Sequence, residues 1–175
     1  MVKKTIKQKW QINIKKEKKE GEKMQINIRR KIKNWMQMEF QAISENEQLA
    51  RIAVASFITP LNPTLEEMAD VKTAISEAVT NAIIHGYEEK EGKVYIRCRL
   101  NGDLLEVEVE DQGRGIEDID QAMEPMFTTK PERDRSGMGF SFMEAFMDEL
   151  EVSSIPGAGT TVMMKKKLGT QSWLE

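Results

Sequence analysis

The periodicity of apolar residues changes at Gly86, and this change restricts the fold more than any other feature of the sequence. Before Gly86, apolar residues recur every third or fourth position, as they do along one side of a helix. After it, apolar and charged residues alternate in "KVYIRCRL" from Lys93, which predicts a strand with one solvated face. The turn signal "NGD" at Asn101 and a second alternating segment, "LLEVEVED", predict an antiparallel hairpin. The chain therefore combines helices with an antiparallel sheet.

Capping patterns predict where two helices begin before Gly86. In "SENE", Ser44 and Glu47 have the spacing at which two residues cap a helix start reciprocally, and "TLEE" repeats this pattern from Thr64. The second helix is expected to run to about His85. The apolar side of the first helix is expected to consist of Leu49, Ile52, Ala53 and Phe57.

The remainder of the chain predicts further helices and strands in the same layers. A short helix is expected near Glu117, and a third main helix from Phe140 to Glu149. The segments "LEVSSI" and "TTVMMKKK" predict two strands around the turn "PGAG". Helices clustered early and late around an antiparallel sheet predict an α+β fold, a two-layer α/β sandwich.

Charge divides the 175 residues into a basic leader and an acidic body. Residues 1–40 carry a net charge of +9, which leaves −12 for the rest of a chain whose overall charge is −3. The predicted organisation is a disordered leader at 1–35, a globular domain at 36–168 and a tail at 169–175. A second interpretation is that the leader is not translated, because a purine-rich ribosome-binding sequence could encode "KKEGEK", with initiation at Met24 or Met36.

Composition argues against several classes of protein. An acidic body suits nucleic acid poorly, so no direct nucleic-acid partner is expected. The single cysteine, Cys98, excludes an internal disulfide and falls on the apolar side of a strand, where it is expected to be a packed thiol in a reducing cytosol. No apolar run approaches the roughly 18 residues of a membrane span, and no secretory signal is present. A cytoplasmic protein without a membrane partner is expected.

One helix carries a line of polar residues. In "SEAVTNAIIHG", Glu77, Asn81 and His85 recur every fourth position and share one side. A carboxylate and an amide one turn apart can accept a proton and offer an oxygen to Mg²⁺, although a solvated helix face is the alternative. His85 is expected to interact with the helix dipole or to contact a phosphate.

Two glycine clusters follow. In "EDQGRGI", Asp111 ends a strand and can accept hydrogen bonds from an exocyclic amine, while Gly113 and Gly115 let the backbone approach a ligand. In "RSGMGF", Gly137 and Gly139 precede a helix, where exposed N–H groups favour phosphate. Taken singly, each cluster is equally typical of an ordinary loop.

The order of these clusters carries a family resemblance. E-x-x-x-N, D-x-G-x-G, G-x-G and the "GTT" from Gly159 together resemble the nucleotide-binding domain shared by DNA gyrase, Hsp90 chaperones, sensor histidine kinases and MutL. The resemblance implies the Bergerat ATP fold, with a mixed, mostly antiparallel sheet, helices on one face and a mobile lid. The phrases "SEAVTNAIIHGY", "PMFTTKPE", "RSGMGF" and "FMDEL" are most similar to the sporulation anti-sigma F factors, a family of serine protein kinases, from about Met36 to Leu168.

The resemblance implies a role for each matching residue. Asn81 resembles the Mg²⁺ ligand, and Glu77 the base or orienter of the attacking hydroxyl. Asp111 resembles the adenine reader, assisted through water by Thr160 or Thr161. The positions implied to shape the pocket or to meet phosphates are Gly113, Gly115, Lys130, Arg135, Gly137 and Gly139.

The implied function combines two activities that depend on ATP and Mg²⁺. The chain would bind and inhibit a sporulation sigma factor of RNA polymerase, and would phosphorylate a serine on the anti-anti-sigma protein that opposes it. A homodimer is implied, as is a lid from Phe127 to Gly139. Arg51 on the first helix is the expected partner contact, with a solvated arginine as the alternative. Two alternatives stay open: a related switch-protein serine kinase acting on a stress-response sigma factor, and a non-kinase ATPase module of the same superfamily.

Overall fold

A five-stranded antiparallel sheet forms the frame of the fold. The computed structural model describes residues 18–21, 23–24, 32–88, 90–124 and 138–169. The strands are β1 (Lys33–Gln41), β2 (Lys93–Asn101), β3 (Leu104–Asp111), β4 (Glu149–Ile155) and β5 (Gly159–Lys167). Their order is β1-β2-β3-β5-β4, and each neighbouring pair is antiparallel.

Helices cover one face of this sheet. They are α1 (Glu45–Ile58), α2 (Leu65–Asn81), α3 (Ile119–Met123) and α4 (Gly139–Phe146), with a 3₁₀ turn at Thr59–Leu61 and a π turn at Ala82–Gly86. The core lies between α1, α2, α4 and the sheet. This arrangement confirms the predicted α+β sandwich. Within the described residues, no helix has both the length and the apolar character needed to cross a membrane.

The β2–β3 hairpin forms as its alternation predicts. Every second residue of β2, from Val94 to Leu100, is buried beneath the helices. On the opposite face, Arg97 pairs with Glu108 and Glu110 of β3. Cys98 is buried in the core, and burial raises the pKa of its thiol to about 12, which confirms a packed, unreactive group.

The two predicted capping boxes have different outcomes. At α2 the Thr64 hydroxyl accepts from the Glu67 N–H, and the Glu67 carboxylate accepts from the Thr64 N–H, so this box is confirmed. At α1 the box is wrong: the Ser44 side chain makes no capping bond. The Glu47 carboxylate instead accepts from the Ser76 hydroxyl of α2. A tertiary hydrogen bond between helices has replaced the local one.

The buried side of α1 also differs from the prediction. Ala50, Val54 and Ile58 are fully buried, whereas Leu49 and Ile52 are 52% and 53% exposed. Apolar residues occupy more than half of the surface of α1, so periodicity alone does not select the side that packs against α2. The exposed pair forms an apolar surface that the core does not use.

Three element boundaries are shifted. β1 begins at Lys33, three residues before the expected body at Met36. The α-helical part of α2 ends at Asn81, and the last turn before Gly86 is a π turn. The third main helix ends at Phe146 rather than at Glu149, because the chain beyond it pairs with β5: the Asp148 N–H donates to the Lys165 carbonyl at 2.8 Å.

Candidate functional site

A pocket of about 260 Å³ lies between the helices and the C-terminal end of β3. One wall comes from the end of α2 and its π turn, and a second from β3, β5 and the loop after β3. The remaining wall comes from α3 and the start of α4. The pocket therefore lies where the predicted polar residues of α2 meet the two glycine clusters.

Asp111 provides the buried acceptor at the sheet end of the pocket. It is the last residue of β3 and only 5% exposed. Burial raises the pKa of its carboxyl, and hydrogen bonds from the Gly113 and Thr160 backbone partly offset this effect. Oδ1 accepts from the Gly113 N–H at 2.9 Å. A buried carboxylate with lone pairs remaining can accept from an amine on a ligand.

Glycines allow the backbone to close around Asp111. A Cβ at Gly113 would lie 2.1 Å from the Gly86 carbonyl oxygen, and a Cβ at Gly86 would lie 2.8 Å from Asp111 Oδ1. At Gly159, where φ is +113°, a Cβ would lie 2.0 Å from the Asp111 carbonyl oxygen. The sequence prediction named Gly113 but missed Gly86, which marked only a helix end, and Gly159, which appeared only within "GTT".

Gly115 lines the pocket itself. Its φ is +72°, and a Cβ there would lie 2.3 Å from the Ile155 carbonyl oxygen at the β4–β5 turn. The neighbouring Arg114 accepts at its carbonyl from the Gly157 N–H at 2.6 Å. The loop after β3 is thus held against the β4–β5 hairpin.

Tyr87 holds the same loop in place, a role that no sequence pattern predicted. Its hydroxyl donates to the Lys93 carbonyl and accepts from the Gln112 N–H at 2.8 Å. The ring is 8% exposed and packs where a side chain at Gly92 would stand. One tyrosine therefore ties the end of α2 to the start of β2 and to the residue after Asp111.

Glu77 and Asn81 meet α4 at the other end of the pocket. A Cβ at Gly139, the first residue of α4, would lie 3.1 Å from Glu77 Oε2 and 3.2 Å from both polar atoms of the Asn81 side chain. Glycine at this position lets the first turn of α4, with N–H groups that lack helical partners, approach the carboxylate and the amide. The structure thus brings together three of the predicted residues from two separate motifs.

The π turn after Asn81 directs the end of α2 toward the pocket. The Tyr87 N–H donates to the Ala82 carbonyl, five residues earlier, at 3.1 Å. The extra residue in this turn brings both His85 and Gly86 to the pocket wall. His85 is half-buried there.

Thr160 and Thr161 lie on opposite faces of β5. Thr160 pairs with Asp111 across the strands, is 9% exposed and lines the pocket. Thr161 pairs with Glu110, whose carboxylate bonds Arg97 on the solvated face. Of the two predicted threonines, only Thr160 reaches the pocket.

Comparison with known proteins shows the family to which this chain belongs. A family model described as a histidine kinase-like ATPase domain matches residues 40–166. Three similar curated proteins are each named anti-sigma F factor. The one from Oceanobacillus iheyensis is 56% identical over 138 residues, which are 78% of this chain and 94% of the relative.

The relative from Thermoanaerobacter sp. (strain X514) is 55% identical over 137 residues, 78% of this chain and 96% of its own. That from Bacillus subtilis is 54% identical over 138 residues, with 78% and 94% covered. The chain belongs to the anti-sigma F factor family. This membership confirms the resemblance found in the sequence, and the matched ATPase domain establishes ATP as the ligand class.

A solved structure supports the fold alone. The RsbU and RsbW domains of a protein from Mycobacterium tuberculosis superpose with a TM-score of 0.57 at 22% sequence identity. The match covers 77% of this chain and 32% of that one, so this anti-sigma F family member spans about a third of its length. The fold class predicted from the sequence is confirmed.

The remaining expected positions are either outside the described residues or away from the pocket lining. Lys130, Arg135, Gly137 and most of the expected lid lie outside the described residues. Arg51 is described and lies elsewhere, on α1. Its Nε is 3.9 Å from Glu47 Oε1, and its side chain is 38% exposed. Arg51 is thus partly exposed and is not among the residues that line the pocket.

Proposed function

We propose that this chain is an ATP-dependent anti-sigma factor and serine kinase. It binds and inhibits a sporulation sigma factor, and it phosphorylates a serine on the anti-anti-sigma protein that opposes it. The family supports the regulatory role. The observation that carries the kinase is the closeness of Gly139 to both Glu77 and Asn81, where a Cβ would lie 3.1–3.2 Å from their polar atoms, at one end of a pocket whose other end holds Asp111.

The sheet end of the pocket binds the base. Asp111 accepts from the exocyclic amine of adenine, and Thr160 lies beside it on the neighbouring strand. Gly115 and the loop after β3 approach the ring closely, because no side chain intervenes. This end of the pocket therefore determines which base is bound.

The helix end of the pocket binds the phosphates. The Asn81 side chain lies close to Gly139, the first residue of α4, and the start of a helix favours phosphate. The Asn81 amide oxygen, which lies at the start of α4, would hold Mg²⁺ together with the phosphates of the nucleotide. Mg²⁺ supplies neutralisation of phosphate charge during transfer.

Glu77 orients the acceptor serine. It lies one turn before Asn81 on α2, with its carboxylate at the start of α4. A loose phosphoryl-transfer transition state requires little early proton removal, so a carboxylate that fixes the direction of the hydroxyl contributes more than a strong base would. Phosphoryl transfer then depends on position and charge, which this end of the pocket combines.

The exposed side of α1 binds protein partners. Leu49 and Ile52 lie on it, each about half exposed, and Arg51 lies on the same helix with a side chain that is 38% exposed. Apolar side chains around an arginine are typical of the centre of a protein interface. R51A is expected to weaken sigma-factor binding without changing ATP affinity, whereas R99A, an exposed arginine on the sheet, is the matched control.

We also propose that the chain functions as a homodimer through the exposed face of "MEFQAISENE", which runs from β1 through Ile43 to the start of α1. Sedimentation at micromolar concentration measures this directly. A monomer under those conditions would contradict the proposal, and so would a dimer that survives a charged substitution at Ile43.

Incubation with γ-labelled ATP, Mg²⁺ and an anti-anti-sigma protein of the sporulation pathway tests the kinase. Label on a serine of the partner is expected, identified by mass spectrometry. Label on an anti-anti-sigma protein of a stress pathway instead would favour the related switch-protein kinases. Release of free phosphate with no labelled protein would favour a non-kinase ATPase.

A further inference from the structure

Ser154 joins three elements at the sheet end of the pocket. Its hydroxyl oxygen lies 2.8 Å from the Ile116 nitrogen, in the loop after β3. It also lies 2.9 Å from the Gly159 carbonyl oxygen and 3.0 Å from the Thr160 hydroxyl, both on β5. Ser154 is paired with Thr160 across the β4–β5 hairpin, and Thr160 is in turn paired with Asp111. Ser154 therefore contacts Thr160, a residue of the pocket wall beside Asp111, without lining the pocket itself.

The hydrogen-bonding capacity of these groups fixes the direction of the Thr160 hydroxyl. A serine hydroxyl has one hydrogen to donate and two lone pairs to accept with. The Ile116 N–H can only donate and the Gly159 carbonyl can only accept, so the single Ser154 hydrogen goes to Gly159. The Thr160 hydroxyl must then donate its hydrogen to Ser154. Its lone pairs are left for the pocket.

The base-binding wall consequently presents acceptors. Asp111 contributes a carboxylate, and Thr160 contributes lone pairs beside it. A purine with a 6-amino group can donate to these atoms directly or through water. At the position of the 6-substituent, a purine with a 6-oxo group would direct lone pairs at these acceptors instead of an N–H, so the wall would lose a donor there.

We propose that Ser154 is a positioning residue which, by orienting the Thr160 hydroxyl, makes the site select 6-amino over 6-oxo purine nucleotides. The proposal rests on the proposed nucleotide site and assigns it a specificity determinant outside the pocket lining. Ser154 acts through Thr160, so its removal frees the Thr160 hydroxyl to rotate and donate to a 6-oxo group. Removal of Ser154 should change the affinity for ATP less than it changes the ratio of the affinities for 6-amino and 6-oxo purine nucleotides.

The affinities of ATP and inosine triphosphate for the full chain, measured by calorimetry, test this role. Wild type should prefer ATP, and S154A should reduce the ATP-to-inosine-triphosphate preference about tenfold, the equivalent of roughly 1.4 kcal/mol and of one hydrogen bond. S154T keeps a hydroxyl on the strand and should restore the preference. S153A is the matched control, because Ser153 is exposed on the opposite face.

A double-substitution cycle separates positioning from general damage. In a T160V background, S154A should no longer change the preference, because the hydroxyl through which Ser154 acts is absent. An unchanged preference in S154A would overturn the inference. Equal weakening of both nucleotides would overturn it too, since that is the result of a merely structural role. If wild type binds neither nucleotide, the proposed function itself fails and the inference with it.

Discussion

Replacing Asp111 by asparagine is expected to change stability and nucleotide binding in opposite directions. Asp111 is 5% exposed, and burial raises the pKa of its carboxyl. An acid whose pKa is raised by folding stabilises the fold fully below its unfolded pKa, and this contribution is lost as pH rises through the folded pKa. At neutral pH the charged carboxylate therefore costs stability, about 1.4 kcal/mol for each unit of the shift.

D111N removes this cost with little change in side-chain volume. Without nucleotide, the midpoint of thermal unfolding of the variant should lie above that of wild type at neutral pH, by roughly 3–6 °C for each pKa unit in a domain of this size. The difference should shrink as pH falls toward the folded pKa, because the wild-type carboxyl is then protonated as well. Thermal unfolding over a pH series measures both effects.

The same substitution is expected to weaken ATP binding at least tenfold. The Gly113 N–H donates to Oδ1 at 2.9 Å, so an asparagine would keep its oxygen there and bring its NH₂ group to the position of Oδ2. An acceptor for the adenine amine is thereby replaced by a donor. Loss of a hydrogen bond to a charged group costs about 1.5–3 kcal/mol, which corresponds to roughly 10- to 150-fold in affinity.

The matched control for D111N is D120N, an exposed aspartate on α3, which should change stability by less than about 0.5 kcal/mol. Two results would refute the reasoning. One is a D111N variant less stable than wild type at neutral pH without nucleotide. The other is an ATP titration that D111N leaves unchanged.

Two further pairs of substitutions test the local geometry. G113A would place a Cβ 2.1 Å from the Gly86 carbonyl oxygen and should reduce ATP affinity at least tenfold, whereas G157A, with no atom within 4 Å, should cost about 1 kcal/mol of stability for its φ of +80° and leave affinity intact. Equal affinities in the two variants would contradict the close approach. T64A should destabilise the fold by about 1 kcal/mol, because it removes a formed cap, whereas S44A should have almost no effect on chemical denaturation.

The elements predicted correctly are those whose interacting residues lie close together in the sequence. The β2–β3 hairpin needs only its alternation and the turn at Asn101, and Gly102 there has the positive φ of 67° that such a turn requires. The Thr64 cap forms because both of its partners lie within one turn of α2. The spacing of Glu77 and Asn81 likewise fixed their common side before any tertiary contact was known.

Features that depend on distant partners could not be predicted from these patterns. Glu47 has the capping position but bonds Ser76 on α2. Thr160 and Thr161 are equivalent in sequence, and only the register of β5 against Asp111 separates them. The π turn depends on one hydrogen bond of longer span, for which the residues of the turn give no signal.

The apolar surface of α1 was missed for a related reason. Its sequence offers two overlapping apolar sides, and contact with α2 determined which one became core. The side that remained exposed holds Leu49 and Ile52. The same ambiguity that misled the core prediction therefore marks the surface proposed for partners.

In the proposed function, Glu77 directs phosphoryl transfer, and Asp111 and Asn81 bind the nucleotide. The most direct test measures, in the same preparation, the rate of transfer to the partner serine and the affinity for ATP, for wild type, E77Q and the control E66Q at the exposed start of α2. E77Q is expected to lower the rate at saturating ATP roughly 100-fold or more, with affinity for ATP within about twofold of wild type. An unchanged rate, or a loss of rate explained by lost ATP binding, would contradict it.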